Sequence, residues 1–457
     1  MAETVVKVWR TCMVKPAISS PTQTLFLSSF DLLWIPAPNV QNIFFYKLSP
    51  LTEYTSLIQD LKKSLSSVLV YFYPLAGRLK KGESGRTEVD LTDGGVEFKE
   101  ASISVPLEDL EKDGFRKLGP EVNLSADENY NRPLLSIQVT ALAGSGMCIA
   151  ATHSHVLMDG KSFFHFMKSW AEFSRGLPIT KPPQHDRTIF KPENKNSPSI
   201  FFKAHDIVSV GIRGAKIFKF VADESQSEHK NEGKHDDHLP KTTDMIHSTF
   251  CFTEEMMEEL KQESRASTSF VAVAAHFWRC VMRAREVPQE EAVYFSVLAD
   301  CRGRVNPPLP HTYFGNCQSL GLVQTTAHTL FNADISFAAD VIQQLIRSCT
   351  EEAQINHLID WIESGWRCRI ERDILREAGW KYGIMAVASP RFPLYDMDFG
   401  WGRPTDVQIA DDNESMVLSP PKDGGKSIMV STCLPQHQMD FLHHLLFSGR
   451  AYPSAKL

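Results

Sequence analysis

The sequence predicts a two-domain α+β protein, and three observations predict it. The 457 residues exceed what one ordinary hydrophobic core organises, so two units of roughly 200 residues each are expected. Helical and strand periodicities follow one another irregularly, without the regular βαβ alternation of a parallel sheet. A polar stretch bearing several prolines divides the chain near its middle. The expected division is an N-terminal domain over 1–190, a crossover linker with a mobile loop over 191–247, and a C-terminal domain over 248–457.

In chain order, Val5–Val14 alternates as a first strand, Pro16–Thr24 reads as a loop, and Phe44–Leu48 is a further strand. Thr52–Val68 is helical: Leu57, Ile58, Leu61, Leu65 and Val68 share one face, with Gln59, Asp60, Lys62 and Lys63 on the other. Pro74 and Gly77 turn the chain into a new strand. Strands follow at Thr87–Leu91, Val96–Glu100 and Leu134–Leu142, and a turn at Gly144 and Gly146 leads into a strand over 148–155. Behind it Phe163, Phe166, Met167, Trp170 and Phe173 recur at helical steps. The stretch 223–244 is almost without apolar residues and reads as a mobile surface loop, its His229, His235 and His238 solvated.

The second half opens with a strand at Ser248–Phe252 and a helix at Thr253–Ser264, capped by the Thr253 hydroxyl. A helix from Ser269 turns Phe270, Val273, Ala274, Phe277 and Val281 inward. A strand at Val293–Ala299, helices at Ala338–Ala353 and His357–Ala378, strands at Ile384–Val387 and Lys426–Leu434, and a helix at Gln436–Leu446 complete the pattern.

Hydrophobic content of 42% and charged content of 23% fit a soluble globular chain. A net charge of -7 leaves no electrostatic footprint for nucleic acid. The N-terminus lacks the apolar core of a signal peptide, and Val68–Tyr73 is far too short to span a bilayer. Nine cysteines, an odd number without C-x-x-C spacing, read as free thiols in a reducing compartment. A cytoplasmic monomer without membrane contact is expected.

The chemistry concentrates in Cys148–Ser162, C-I-A-A-T-H-S-H-V-L-M-D-G-K-S, which carries the pattern H-x-x-x-D-G at His155, Asp159 and Gly160. An imidazole at a strand end can face a cavity, and its ordinary pKa near 6.5 suits it to take a proton at neutral pH. His153 and His155, two apart on one strand, would share a face beside Asp159, but nothing completes a zinc ligand set and no metal is expected. Asp398-Phe399-Gly400 lacks the other loops of a kinase, and neither Gly-Lys-Ser triplet has the earlier glycine of a P-loop.

Taken with D-F-G-W-G at 398–402, H-V-L-M-D-G at 155–160 resembles the plant BAHD family of acyl-CoA-dependent acyltransferases. Y-P-L-A-G-R-L at 73–79, D-C-R-G-R at 300–304 and Y-F-G-N-C at 313–317 extend the likeness over nearly the whole chain. The resemblance implies two similar-sized mixed-sheet domains of chloramphenicol acetyltransferase-like fold with a channel between them. It implies His155 as general base, Asp159 turned away to pair with an arginine (here Arg302), and Gly160 leaving room for the turn. Trp401 would donate its indole N–H to the oxyanion of the tetrahedral intermediate, while Asp398, Gly400 and Gly402 shape that loop.

The acyl-CoA co-substrate would dock its phosphates at a helix N-terminus with Arg265, Ser267, Thr268 and Ser269, and no bound cofactor is implied. Y-F-G-N-C looks like the branch that acylates anthocyanins and other flavonoid glycosides, although Thr312 replaces the usual preceding asparagine. Ala388-Ser389-Pro390 departs from the serine or threonine plus tryptophan common in hydroxycinnamoyl-transferring members. A small phenolic or flavonoid-type acceptor is the implied partner.

Overall fold

In the computed structural model, residues 6–20, 24–35, 37, 39–83, 85–109, 118–120, 132–144, 146–190, 207–220, 245–363, 382–410 and 415–447 are described. The first half contains β1 (Lys7–Val14), β2 (Thr24–Phe26), α1 (Ser29–Leu32), β3 (Val40–Lys47), α2 (Tyr54–Val68), β4 (Arg78–Lys81) and β5 (Thr87–Asp90). It continues with β6 (Val96–Pro106), β7 (Leu135–Ala143), β8 (Gly146–His153) and α3 (Gly160–Ser174). The second half runs β9 (Ile207–Ile212), β10 (Ala215–Phe220), β11 (Met245–Phe252), α4 (Glu254–Ser264), α5 (Ser269–Ala284), β12 (Ala292–Asp300) and β13 (Gln318–Thr326). Then come α6 (Ala327–Asn332), α7 (Ile335–Cys349), α8 (Glu352–Glu363), β14 (Gly383–Ala388), β15 (Asp406–Ala410), β16 (Met416–Ser419), β17 (Ile428–Pro435) and α9 (Gln436–Phe447).

Two mixed sheets organise the molecule, one of order β1-β6-β7-β8-β3-β15 and one of order β11-β17-β16-β14-β12-β13-β10-β9. The strands β2, β5 and β4 form a small third sheet. The amphipathic patterns explain what covers them. Leu57, Leu61, Leu65 and Val68 of α2 join Phe163, Phe166 and Trp170 of α3 in one buried cluster with Phe44, Ile137, Val139 and Ile149 of the first sheet. The α5 stripe of Val273, Ala274, Phe277 and Val281 lies fully buried in the second core, with Val293 and Phe295 of β12. The α+β class with two mixed-sheet domains is therefore the observed architecture.

The sheets do not follow the division read from the sequence. Residues 207–220, inside the expected linker, form the β9–β10 hairpin, and Lys216 of β10 pairs with Gln324 of β13 in the second sheet. The loop expected at 223–244 lies outside the described residues. Strand β15, inside the expected C-terminal domain, crosses to the first sheet, where Asp406 pairs with Phe45 and Ala410 with Gln41. Strands β15 and β16 and helix α6, being short, and β13, interrupted by Gly321, were not legible. Gly321 in β13 illustrates the cause: a Cβ there would stand 3.0 Å from Leu345 Cγ and 3.2 Å from Cys349 Sγ, so α7 packs where a side chain would go. Of the helix expected at His357–Ala378, α8 spans Glu352–Glu363, and residues 364–381 lie outside the described set.

Candidate active site

Strand β8 ends at His153, and His155 follows in a turn before α3. The two histidines therefore do not alternate on one strand, as the spacing predicts; their rings stand 6.4 Å apart and tilted by 49°. His153 is buried, stacked on Phe163 at 4.8 Å, with Nδ1 3.3 Å from the Ser154 carbonyl. Burial first, then neighbouring His155, lowers its pKa to about 3. His155 is half-buried, and the Trp34 indole lies over its face at 3.8 Å with 17° between the planes. Burial lowers the His155 pKa from its ordinary value, against opposing contributions first from its own backbone and then from Asp159, Asn316 and Asp31, which favours the neutral, proton-accepting form.

Asp159 turns away from the imidazole. It caps α3, accepting from the Ser162 N–H at 3.0 Å. Arg302 Nη2 donates to its Oδ1 at 2.9 Å and Nη1 stands 2.8 Å from Oδ2, which also accepts from the Cys317 N–H at 3.2 Å. Four donors occupy one carboxylate, so nothing of it remains for a substrate or metal. Burial works against the Arg302 charge, but Asp159 and then Asp300 more than offset this and hold its pKa above the ordinary value. At Gly160 the space is taken by an aromatic ring rather than needed for a turn: a Cβ would stand 2.7 Å from Phe392 Cζ.

Sequence reading missed the residues that grip His155 most directly. Three successive backbone N–H groups of the second half are held by side chains of the first. Gly315 donates to Ser162 Oγ at 3.1 Å, Asn316 to Asp31 Oδ1 at 3.0 Å, and Cys317 to Asp159. The Asn316 Nδ2 donates to Asp31 Oδ1 at 2.9 Å, the His155 carbonyl at 2.9 Å and the Val156 carbonyl at 3.1 Å. All three are acceptors, so the amide nitrogen must face them, and Oδ1 faces His155 Nδ1 at 3.1 Å. An acceptor opposite Nδ1 assigns the proton to Nδ1 and leaves Nε2 bare. The available signals were Asn316 within Y-F-G-N-C and the reciprocal cap Ser28-x-x-Asp31 at the start of α1.

Trp401 is not brought to this site. Its indole packs edge-on to Tyr46 at 6.1 Å and stacks on Phe399 at 5.7 Å. Tyr46 pairs with Met147, whereas Val40 pairs with His153, so six strand residues, about 20 Å, separate the two ends. Helix α3 gives a second ruler. His155 precedes its N-terminus, whereas Ser174 at its end donates to the Phe399 carbonyl, about 20 Å along the axis. The expected oxyanion contact from Trp401 is therefore corrected: D-F-G-W-G sits at the far end of α3. There Asp398 Oδ1 accepts from Gly400 N–H at 2.8 Å and Gly402 N–H at 3.0 Å, and both glycines need φ above +100°. Tyr46 Oη donates to the Met397 carbonyl at 2.9 Å, fastening the loop to the first sheet.

At the expected phosphate dock, Thr268 caps α5, its hydroxyl accepting from the Val271 N–H at 3.2 Å. The Ser267 N–H donates to Gln343 Oε1 at 3.3 Å, and Arg265, in left-handed conformation, ends α4 with its side chain exposed. Among the described residues, no group of three or more His, Cys, Asp or Glu is placed to hold a metal ion, and no helix is long and apolar enough to cross a membrane.

The fold is similar to that of vinorine synthase, at TM-score 0.69 and 21% identity over 97% of this chain and 98% of that one. It is also similar to F. sporotrichioides TRI101 complexed with coenzyme A and T-2, at TM-score 0.71 and 17% identity over 92% and 97%. In sequence, the chain is 31% identical to BAHD acyltransferase DCR of Arabidopsis thaliana over 91% of this chain and 86% of that one. It is 28% identical to hydroxycinnamoyltransferase of Narcissus pseudonarcissus over 97% and 99%. It is 27% identical to phenolic glucoside malonyltransferase 1 of Arabidopsis thaliana over 94% of each. Residues 4–446 match the Transferase family, and with these relatives the chain belongs to the plant BAHD acyltransferases.

Proposed function

We propose that the protein transfers an acyl group from an acyl-CoA thioester to a hydroxyl or amine of a plant specialised metabolite of phenolic or flavonoid type, with His155 as general base. The observation that carries this reading is the Asn316 Oδ1 contact at His155 Nδ1, which leaves Nε2 as the proton acceptor. As the acceptor oxygen attacks the thioester carbonyl carbon, Nε2 takes its proton and a C–O bond forms. Collapse of the tetrahedral intermediate breaks the C–S bond, and the departing CoA thiolate takes the proton back from the imidazolium.

Direct transfer is favoured over a cysteine acyl-enzyme. Burial raises the pKa of Cys301 and Cys349 to about 12 and pushes Cys317 up as well, so these thiols stay protonated and unreactive. The α5 N-terminus, with Arg265 and the hydroxyls of Ser267 and Ser269, is the proposed dock for the anionic end of the donor; Thr268 contributes by capping the helix.

The test is mass spectrometry of the purified protein given a panel of acyl-CoAs and plant phenolic extract, beside His155→Ala. Wild type is expected to yield acylated product and the variant none. Undiminished product from His155→Ala with any donor would end the base assignment.

A further inference from the structure

We propose that Asp31 is a positioning residue for acyl transfer, fixing the tautomer and proton affinity of His155 through Asn316. The proposal rests on the reading of His155 as base. Asp31 is fully buried, yet its carboxylate accepts five hydrogen bonds. Ser28 supplies its N–H at 2.9 Å and its Oγ at 2.7 Å, and Arg187 its Nε at 2.8 Å. The remaining two come from the backbone and side chain of Asn316. Capping a four-residue helix accounts for the Ser28 contacts alone. The others draw in a residue 285 positions away that touches the imidazole.

A continuous chain results, Arg187–Asp31–Asn316–His155, with Arg187 and Asp31 at 1% and 0% side-chain exposure. Turning the Asn316 amide over would set its oxygen against the Asp31 carboxylate and the carbonyls of His155 and Val156. Three acceptors reject that orientation. The His155 ring is thus offered an acceptor at Nδ1, and the bare nitrogen is Nε2.

Charge acts along the same line. Among the described residues, the titratable groups whose charge acts on His155 are Asp159, neutralised by Arg302, Asp31, neutralised by Arg187, and the neutral His153; Trp34 on its face carries no charge. Removing the Asp31 charge leaves Arg187 uncompensated and lowers the proton affinity of His155. Removing Arg187 leaves Asp31 uncompensated and raises it. A merely structural contribution would not give opposite signs.

The test uses the full chain with 15N-labelled imidazoles, the His155 signals being identified by their loss in His155→Ala. Wild type is expected to show a single tautomer protonated at Nδ1. In Asp31→Asn the His155 titration midpoint should fall, and in Arg187→Met it should rise. Asn316→Ala should give a mixed tautomer, and Asp31→Asn added to it should change the ratio no further. With the donor and acceptor found by mass spectrometry, Asp31→Asn and Asn316→Ala should each lower kcat about tenfold or more, with KM for the acyl-CoA within about twofold.

Wild-type protonation at Nε2, an unchanged tautomer in Asn316→Ala, or midpoint shifts of the same sign in Asp31→Asn and Arg187→Met would each overturn the proposal. If Asp31→Asn or Arg187→Met does not fold, the Asn316→Ala spectrum decides. The spectrum needs no turnover, so failure here is distinguishable from activity surviving in His155→Ala, which would sink the base reading instead.

Discussion

Arg302 of the second half holds both carboxylate oxygens of Asp159 of the first, at 2.9 and 2.8 Å, with each side chain only 1% exposed. The same guanidinium donates to the Gly315 carbonyl at 3.0 Å, so the ion pair sets the position of the segment that delivers Asn316 to His155. A buried pair of this kind adds little net stability over an apolar replacement, but losing Asp159 leaves the buried guanidinium with the half-exposed Asp300, 2.9 Å away, as its remaining carboxylate among the described residues.

Asp159→Ala is therefore expected to cost about 3–5 kcal/mol of stability and most of the activity, read by urea denaturation and turnover. Asp159→Leu with Arg302→Met should recover much of the stability but not the rate, because the 315–317 segment loses its anchor. Equal stability loss in single and double variants would contradict this account.

Trp401→Phe should leave kcat within about threefold, in contrast to the roughly 10²-fold loss expected of an oxyanion donor. Among the described residues the indole Nε1 has no hydrogen-bond partner, so there phenylalanine forfeits packing against Tyr46 and Phe399. A modest fall in Tm with unchanged kcat is the outcome; a large loss in kcat at intact stability would return the indole to the chemistry.

Buried His153 sets a pH dependence. Its folded pKa, about 3, lies below the ordinary 6.5, so the unfolded chain takes up the proton first. Its stabilising effect is complete above pH 6.5 and falls as pH drops toward 3, by about 1.4 kcal/mol per pH unit. Urea midpoints between pH 6.5 and 4.5 should decline less steeply in His153→Gln than in wild type, even though the substitution itself lowers them all.

Gly160→Ala should lower Tm by several degrees, despite the better helix propensity of alanine, because the new methyl meets Phe392 at 2.7 Å. Phe392→Leu in that background should restore part of the loss. If Gly160→Ala is as stable as wild type, the ring moves freely and the close approach has no energetic meaning.

Helix α2, helix α4 with its Thr253 cap and strand β8 were legible because each rests on local periodicity or a local hydrogen bond that a contiguous stretch displays. His155, Asp159 and Arg302 could be named because the family resemblance rests on short, contiguous motifs that contain them. Asp31, Asn316 and Arg187 could not be joined, since hydrogen bonds between residues 156 and 285 positions apart leave no mark in spacing.

The sequence by itself thus determined the α+β class and most helices, and through the resemblance it singled out His155 and Asp159. Only the tertiary structure decided that β15 joins the first sheet, that D-F-G-W-G ends up at the far end of α3, and that an asparagine of the second half contacts the imidazole. The reason is physical. Periodicity records which face of an element is buried, whereas the partner across that face is chosen by strand pairing and by the need of every buried polar group to find a hydrogen bond.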